Sequence, residues 1–214
     1  MNAAREHLVP ARIRQILDEY YRPLPSGIEL QVAKYVDLLA LWGQKISLTT
    51  IRDPEEVVRA HFGESIFALS LGRLPEGRLA DVGTGAGFPG LALKLAIPDL
   101  SVALIEPNKK KCAFLHEVIR ALGLTDVSVV PSPFRSAEIR ENSLGSVATR
   151  ALAIDKVFLS WSLGALQPSG CILLWLGEQD SREVSSSTGW RWGIPRLIPE
   201  SKRRYILRGA PARP

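Results

Sequence analysis

Apolar residues recur at helical spacing through the first third of the chain. Ile28, Val32, Tyr35, Val36, Leu39 and Trp42 lie three or four positions apart and predict one amphipathic helix. Ser26 followed by Glu29 has the form of a capping box at its start, with the hydroxyl accepting a helix N–H and the carboxylate reaching back. Asp53-Pro54-Glu55-Glu56 predicts a second start, with the aspartate as cap and proline at the first helical position. Val57, Val58, Phe62 and Ile66 follow it at helical spacing. From Leu79 onward, short apolar runs alternate with helical stretches. They predict strands near 79–82, 101–106, 127–130, 147–150, 171–176 and 204–208, and helices near 89–96, 109–122 and 155–166. Such alternation predicts an α/β fold, a mostly parallel sheet with helices on both faces. Residues 178–200 are weakly patterned, and Ser185 to Gly189 reads as a loop. The expected organisation is an N-terminal helical segment, 1–75, packed on a main domain, 76–214.

Composition narrows the class. The 214 residues are 46% hydrophobic and 23% charged, ordinary for a globular chain. No apolar run reaches the roughly 18 residues that would span a bilayer. The first residues lack the apolar core of a signal peptide. Cys112 and Cys171 form neither a disulfide framework nor a metal cluster. A cytoplasmic protein without metal or membrane partner is therefore expected, and a monomer is assumed. The net charge of +5 is uneven: residues 191–214 hold seven basic residues against Glu200 alone. Lys202, Arg203 and Arg204 within that stretch are candidates for phosphate contact.

The strongest local signal is Leu79-Ala80-Asp81-Val82-Gly83-Thr84-Gly85-Ala86-Gly87-Phe88-Pro89-Gly90. A strand runs into glycines, which let a ligand approach the backbone, and then into a helix. Glycines at 83, 85 and 87 give G-x-G-x-G directly after the strand. The dinucleotide fingerprint G-x-G-x-x-G fails at Phe88 when started at Gly83. Started at Gly85 it is met by Gly85, Gly87 and Gly90, two residues further from the strand. Asp81 before the turn suits a cationic ligand better than a pyrophosphate. Glu106 ends the second strand, where an acid hydrogen-bonds a ribose hydroxyl. A ligand with a ribose and a positive centre, and without phosphate, fits these residues together.

That description resembles the class I S-adenosylmethionine-dependent methyltransferases, whose Rossmann-like fold it implies. The resemblance narrows with Ile46-Ser47-Leu48-Thr49-Thr50-Ile51-Arg52-Asp53, with His61 and Glu64-Ser65, and with the glycine turn itself. Leu104-Ile105-Glu106-Pro107-Asn108-Lys109-Lys110-Lys111, Phe114-Leu115 and Thr149-Arg150-Ala151-Leu152-Ala153 continue it. In order and spacing these motifs resemble the GidB-type bacterial methyltransferases, which modify guanine N7 in small-subunit 16S ribosomal RNA. The resemblance runs from about residue 35 to 176, with a weaker echo at 202–208. It implies S-adenosylmethionine as cofactor and 16S ribosomal RNA within the small subunit as partner. It implies cofactor contacts at Asp81, Gly83, Gly85, Gly87, Phe88 and Glu106, and places Arg150 in the cofactor and substrate pocket. The loop after strand three, with Phe134 and Arg135, would hold the adenine edge. Departures from the family pattern are Ser47 for asparagine, Pro133-Phe134-Arg135 for Arg-x-Glu, Glu64 for aspartate and Leu176 for a lysine.

The chemistry asks little of acid–base groups. N7 of guanine is an acceptor with no proton to lose, so positioning can carry the reaction. No Ser-His-Asp or metal-ligand constellation is present in the sequence, and Arg150 is the expected positioning residue. Asp81 is expected to face the crevice and serve the methionine end of the cofactor. Alone, His61 reads as a packed histidine and Arg150 equally as a surface ion pair. Lys109 and Lys110 stand at a helix start and are either RNA contacts or a solvated face. Trp190 and Trp192 read as a small anchoring cluster. The target should be a loop, bulge or flipped base, since A-form RNA hides its major groove. The rival readings are a methyltransferase acting on a small molecule or protein, and a non-catalytic RNA-binding relative.

Overall fold

The computed structural model describes residues 8–150 and 152–212, so Ala151 of the fifth motif lies outside it. The first part is helical: α1 (Pro10–Asp18), α2 (Ile28–Trp42) and α3 (Pro54–Val57). α3 passes into a π-helical stretch, Val58–Gly63, then α4 (Glu64–Ile66) and a 3-10 turn, Phe67–Leu71. The alternating part follows as β1 (Arg78–Val82), α5 (Gly90–Ala96), β2 (Val102–Ile105), α6 (Lys109–Leu122) and β3 (Val127–Val130). It continues as β4 (Leu144–Thr149), α7 (Lys156–Ala165), β5 (Leu166–Gly177), α8 (Glu178–Val184), β6 (Trp190–Trp192), β7 (Arg196–Leu197) and β8 (Arg204–Pro211).

The sheet order is β3-β2-β1-β4-β5-β8-β6, with β7 also on β8. β3, β2, β1, β4 and β5 are parallel, and β8 is antiparallel to β5. The chain order reverses between β1 and β4, so the crevice for a ligand lies at the carboxyl ends of the strands there.

Strand side chains alternate between two apolar layers. Leu79, Val102, Leu104, Leu173, Trp175 and Ile206 face one layer, which contains Ile13, Leu17, Val32, Tyr35, Phe62, Leu91 and Phe114. Val82, Ile105, Val147, Leu174 and Leu207 face the other, with Phe158 of α7 and Val184 of α8. The N-terminal helices therefore share one face with α5 and α6 in a continuous core.

One sequence expectation is corrected. Ser26 does not cap α2: the N-cap is Gly27 at φ +80°, with no side-chain cap bond. Glu29 instead pairs with Arg14 of α1 at 3.6 Å, since an ion pair between the two helices competes for the same carboxylate. Within the weakly patterned stretch 178–200, Ser185 to Gly189 form the expected loop between α8 and β6, and β7 follows. These elements are two to seven residues long and take their order from β8. Asp53 also caps α3 as expected, accepting from the Glu56 N–H at 2.8 Å.

One contact ties the helical part to the glycine turn. Tyr35 is fully buried, and its hydroxyl donates to the Ala86 carbonyl at 2.6 Å. Gly87, at φ +94°, lies so close that an added Cβ would stand 2.2 Å from the Tyr35 hydroxyl. Overpacking and a left-handed backbone together should make Gly87→Ala cost about 3 kcal/mol. Tyr35→Phe removes the clashing oxygen. In urea unfolding, the double variant should lose less stability than the two single variants summed. Strict additivity would show that the two residues do not meet.

Candidate functional site

The turn after β1 is held by two carboxylates. Asp81 Oδ2 accepts from the Thr84 hydroxyl at 2.6 Å and from the Gly90 N–H at 2.7 Å. Glu106, just past β2, accepts from the Gly85 N–H at 3.0 Å and from the Asn108 N–H at 2.9 Å. Gly83 and Gly85 have φ of +69° and +59°. An added Cβ on Gly83 would meet nothing within 4 Å, and one on Gly85 only the Gly83 carbonyl at 3.9 Å. Their backbone is thus open on its outer side. The rest of the turn is buried.

Phe88 closes the turn from the helical side. It lies between the rings of Tyr35 (5.4 Å, 17°) and His61 (4.9 Å, 16°), with Phe62 edge-on at 4.9 Å. The His61 Nε2 is bonded to the Thr49 hydroxyl at 2.7 Å. Burial, aided by the charges of Arg150 and Arg204, pushes the imidazole down to about 4 from its ordinary 6.5. Burial acts oppositely on Asp81, holding its carboxyl up at about 7.

A second centre adjoins the first. Glu64 is 2% exposed, and it pairs with Arg150 at 3.2 Å and with Arg204 Nε at 2.8 Å. Its backbone carbonyl accepts from Trp175 Nε1 at 2.8 Å. One carboxylate from the helical part therefore joins the end of β4 to the start of β8. Burial raises the Glu64 carboxyl and lowers the Arg150 guanidinium, with the pairing opposing both shifts.

The structure brings Asp81, Gly83, Gly85, Gly87, Phe88 and Glu106 together at one turn, and Arg150 lies close enough to Asp81 for their charges to interact. One expectation changes. Asp81 is not exposed to the crevice: Oδ2 anchors the turn, and Oδ1, also buried, is left without a partner. Phe134 and Arg135 have partners within the protein. Phe134 packs edge-on against Phe158 and Trp161 of α7, and Arg135 lies over the Phe134 ring and pairs with Asp155 at 3.2 Å. Lys202, Arg203 and Arg204 are all exposed, Arg204 while also paired with Glu64. Lys109 and Lys110 are exposed at the start of α6, where Asn108 supplies the cap. Trp190 and Trp192 stack on each other at 5.2 Å, an anchoring cluster as expected.

Sequence reading missed the joint role of Glu64, although the residue stood in a motif, and also Tyr35 and Thr49. Their partners lie 51 and 12 residues away, respectively. In the loop after β3, expected to hold the adenine edge, the Ser132 hydroxyl is buried and unpartnered.

The sequence comparisons agree with this geometry. The family GidB, rRNA small subunit methyltransferase G, matches residues 28–189. The chain belongs to this family. The Ribosomal RNA small subunit methyltransferase G of Desulfitobacterium hafniense is 39% identical over 157 residues, 72% of this chain and 64% of that protein. That of Wolinella succinogenes is 31% identical over 196 residues, 92% of this chain and 97% of the relative. The chain thus spans less than two thirds of the first relative and nearly all of the second. Among solved structures, a SAM dependent methyltransferase from Aquifex aeolicus shares the fold at TM-score 0.61 and 18% identity, covering 73% of this chain and 93% of that one. The fold is the class I, Rossmann-like methyltransferase fold.

Orphaned polar atoms test whether S-adenosylmethionine suits this family member. Asp81 Oδ1 and Arg150 Nη1 are buried without a hydrogen-bond partner. Their charges complement the ammonium and carboxylate of an amino-acid end. The open backbone at Gly83 and Gly85 and the carboxylate of Glu106 suit a ribose. The Ser132 hydroxyl adds an unused polar group in the loop after β3. These residues fit the cofactor. No helix among the described residues is long and apolar enough to cross a membrane.

Two variants test the electrostatics. Glu64→Gln leaves two arginines without their counter-charge and should cost about 3 kcal/mol in chemical unfolding. A loss no larger than that of a surface substitution would show the pair to be idle. Between pH 4 and 6.5 the unfolded chain binds a proton that folded His61 refuses. The histidine's contribution is therefore full above 6.5 and lost as pH falls toward 4. Asp81 works the other way: its contribution is full below 3.8 and lost as pH rises through about 7. His61→Gln removes the first effect alone. Its stability should rise relative to the native chain from pH 6.5 to 4.5, and a constant difference would mean that the buried imidazole titrates normally.

Proposed function

We propose that this chain transfers a methyl group from S-adenosylmethionine to N7 of a guanine in small-subunit 16S ribosomal RNA. The observation that carries this reading is the pair of acids, Asp81 and Glu106, around an open glycine turn, with Arg150 close enough to Asp81 for their charges to interact. When bound, S-adenosylmethionine supplies an electrophilic methyl group on a sulfonium centre. Asp81 and Arg150 would hold the amino-acid end, Glu106 the ribose, and Gly83 and Gly85 would admit the cofactor against the backbone.

Guanine N7 offers a lone pair and no proton. The protein therefore has to orient the base and exclude water, and a general base is unnecessary. His61, with its imidazole at about 4, stays neutral at physiological pH and packs on Phe88. The methylated guanine is cationic, and the carboxylates of Glu64 and Glu106 keep the pocket from becoming wholly basic. The target guanine has to leave its stack to be reached. We infer a cytoplasmic monomer acting on the RNA within the small subunit.

Calorimetric titration with S-adenosylmethionine, with NAD as control, followed by labelled methyl transfer to 16S RNA from cells lacking the enzyme, tests the reading. Binding of the first ligand alone and one 7-methylguanosine per RNA are expected. Transfer to another position or to another class of molecule would overturn the assignment. Asp81→Asn preserves an acceptor for Thr84 and Gly90 but loses the charge. It should keep the melting temperature near native while weakening cofactor binding about 10- to 100-fold, the worth of one charge-assisted hydrogen bond. Unchanged affinity would leave Asp81 as a structural anchor only.

A further inference from the structure

The C-terminal basic residues are laid out along a line. β8 begins at Arg204, opposite Gly177 at the carboxyl end of β5, and runs antiparallel to β5 away from the site. Along its other side, Arg196 of β7 stands opposite Ile206 and Arg191 of β6 opposite Ala210. At a strand rise of ~3.4 Å, those two positions are about 14 Å apart along the edge. Lys202 and Arg203 occupy the turn just before Arg204, which Glu64 ties to Arg150. All four of Arg191, Arg196, Lys202 and Arg203 are exposed. Among the described residues none of the four makes an ion pair. Glu200, the acid in this stretch, is bound to Arg59 at 3.1 Å.

At the far end of the line lies a cleft of about 550 Å³, lined by Arg191, Trp192, Ile194, Arg196, Arg208 and Leu71 among others. Arg208 forms its fixed wall, donating to the carbonyls of Leu71 at 3.1 Å and Arg73 at 2.9 Å. Trp192 is partly exposed and Ile194 is 83% exposed. The edge strands β6 and β7 are only three and two residues long and are separated by Pro195. They offer little backbone for another strand to pair with, so charge is what this edge presents.

We propose that this edge is a ribosomal RNA docking surface, taking the phosphodiester backbone that flanks the target guanine from Lys202-Arg203 beside the site to the cleft at Arg191 and Arg196. The inference rests on the ribosomal RNA reading above. A line of unpaired cations matches a line of phosphates, where a single small anion would need a cluster. In the cleft, Trp192 and Ile194 give an unstacked base an apolar surface beside the arginines.

The test compares Arg191→Gln/Arg196→Gln with a control of equal charge loss, Arg120→Gln/Arg140→Gln, on α6 and in the loop before β4. Binding of 16S RNA and of small-subunit particles from cells lacking the enzyme is measured across a salt series, with cofactor affinity and light scattering recorded alongside. Removing two phosphate contacts should weaken RNA binding about 15- to 30-fold at ~0.15 M salt and flatten the log–log salt slope by about 1.4 to 1.8. The control should stay near native. RNA binding equal to that of the control would overturn the proposal. Aggregation of the edge variant with RNA affinity intact would overturn it too, since the arginines would then guard the edge. Weakening on particles with an unchanged salt slope would point to a protein partner and overturn it as well. If the native chain neither binds nor methylates any ribosomal RNA, the underlying reading fails before the edge is tested.

Discussion

The structure depends on a carboxylate that water does not reach. Asp81 has no exposed surface, yet it accepts from the Thr84 hydroxyl and from the first N–H of α5. Removing an acid from water is costly, and burial raises its carboxyl to about 7. The two bonds offset part of that cost and fix the path from strand to turn to helix. Gly90 has to be glycine because a Cβ there would stand 2.8 Å from that same side chain. A short strand, a tight turn and a seven-residue helix thus become one rigid piece around one oxygen. The other oxygen remains unpartnered. The anchor of the fold and the candidate binding group are the two ends of one carboxylate.

The helical part completes the turn. Tyr35 from α2 reaches the Ala86 carbonyl, His61 and Tyr35 hold Phe88 between them, and Glu64 gathers Arg150 and Arg204. Each of these contacts crosses from the first 75 residues to the α/β part. A site built on such contacts gains precision from packing, because rings in van der Waals contact shift together. It also places a buried ion pair at the seam, where one carboxylate between two guanidinium groups keeps the local charge positive. That suits a surface that meets a polyanion.

Local signals were legible where the chain's own neighbours decide the structure. The aspartate cap before α3 and the glycine turn both depend on residues within about four positions. They could be read directly. The Ser26–Glu29 box had the right letters and still failed, because Arg14 from another helix took the carboxylate. Phe134 and Arg135 likewise found partners outside their own loop. Their loop offered an aromatic ring and a cation near the expected adenine edge, but α7 supplied Phe158, Trp161 and Asp155 as partners. Glu64 was visible as a family departure, while its two arginines lie 86 and 140 residues away. Periodicity carries no information about such pairings.

The same distinction explains why the glycine spacing discriminated between ligands when fold alone does not. Two frames of glycines were available, and each describes a strand–turn–helix. They share Gly85 and Gly87 and differ in Gly83 against Gly90. Gly83 and Gly85 open outward, whereas Gly87 is pressed against Tyr35 and Gly90 against Asp81. A pyrophosphate on the second frame would need close approach where the protein itself already fills the space. The first frame begins at Gly83, whose backbone is open, and Glu106 is bonded to the N–H of the neighbouring Gly85. Electrostatics is consistent with this: Glu106 suits a ribose and Asp81 a cationic centre. The cofactor preference therefore follows from where the core has used up its glycines.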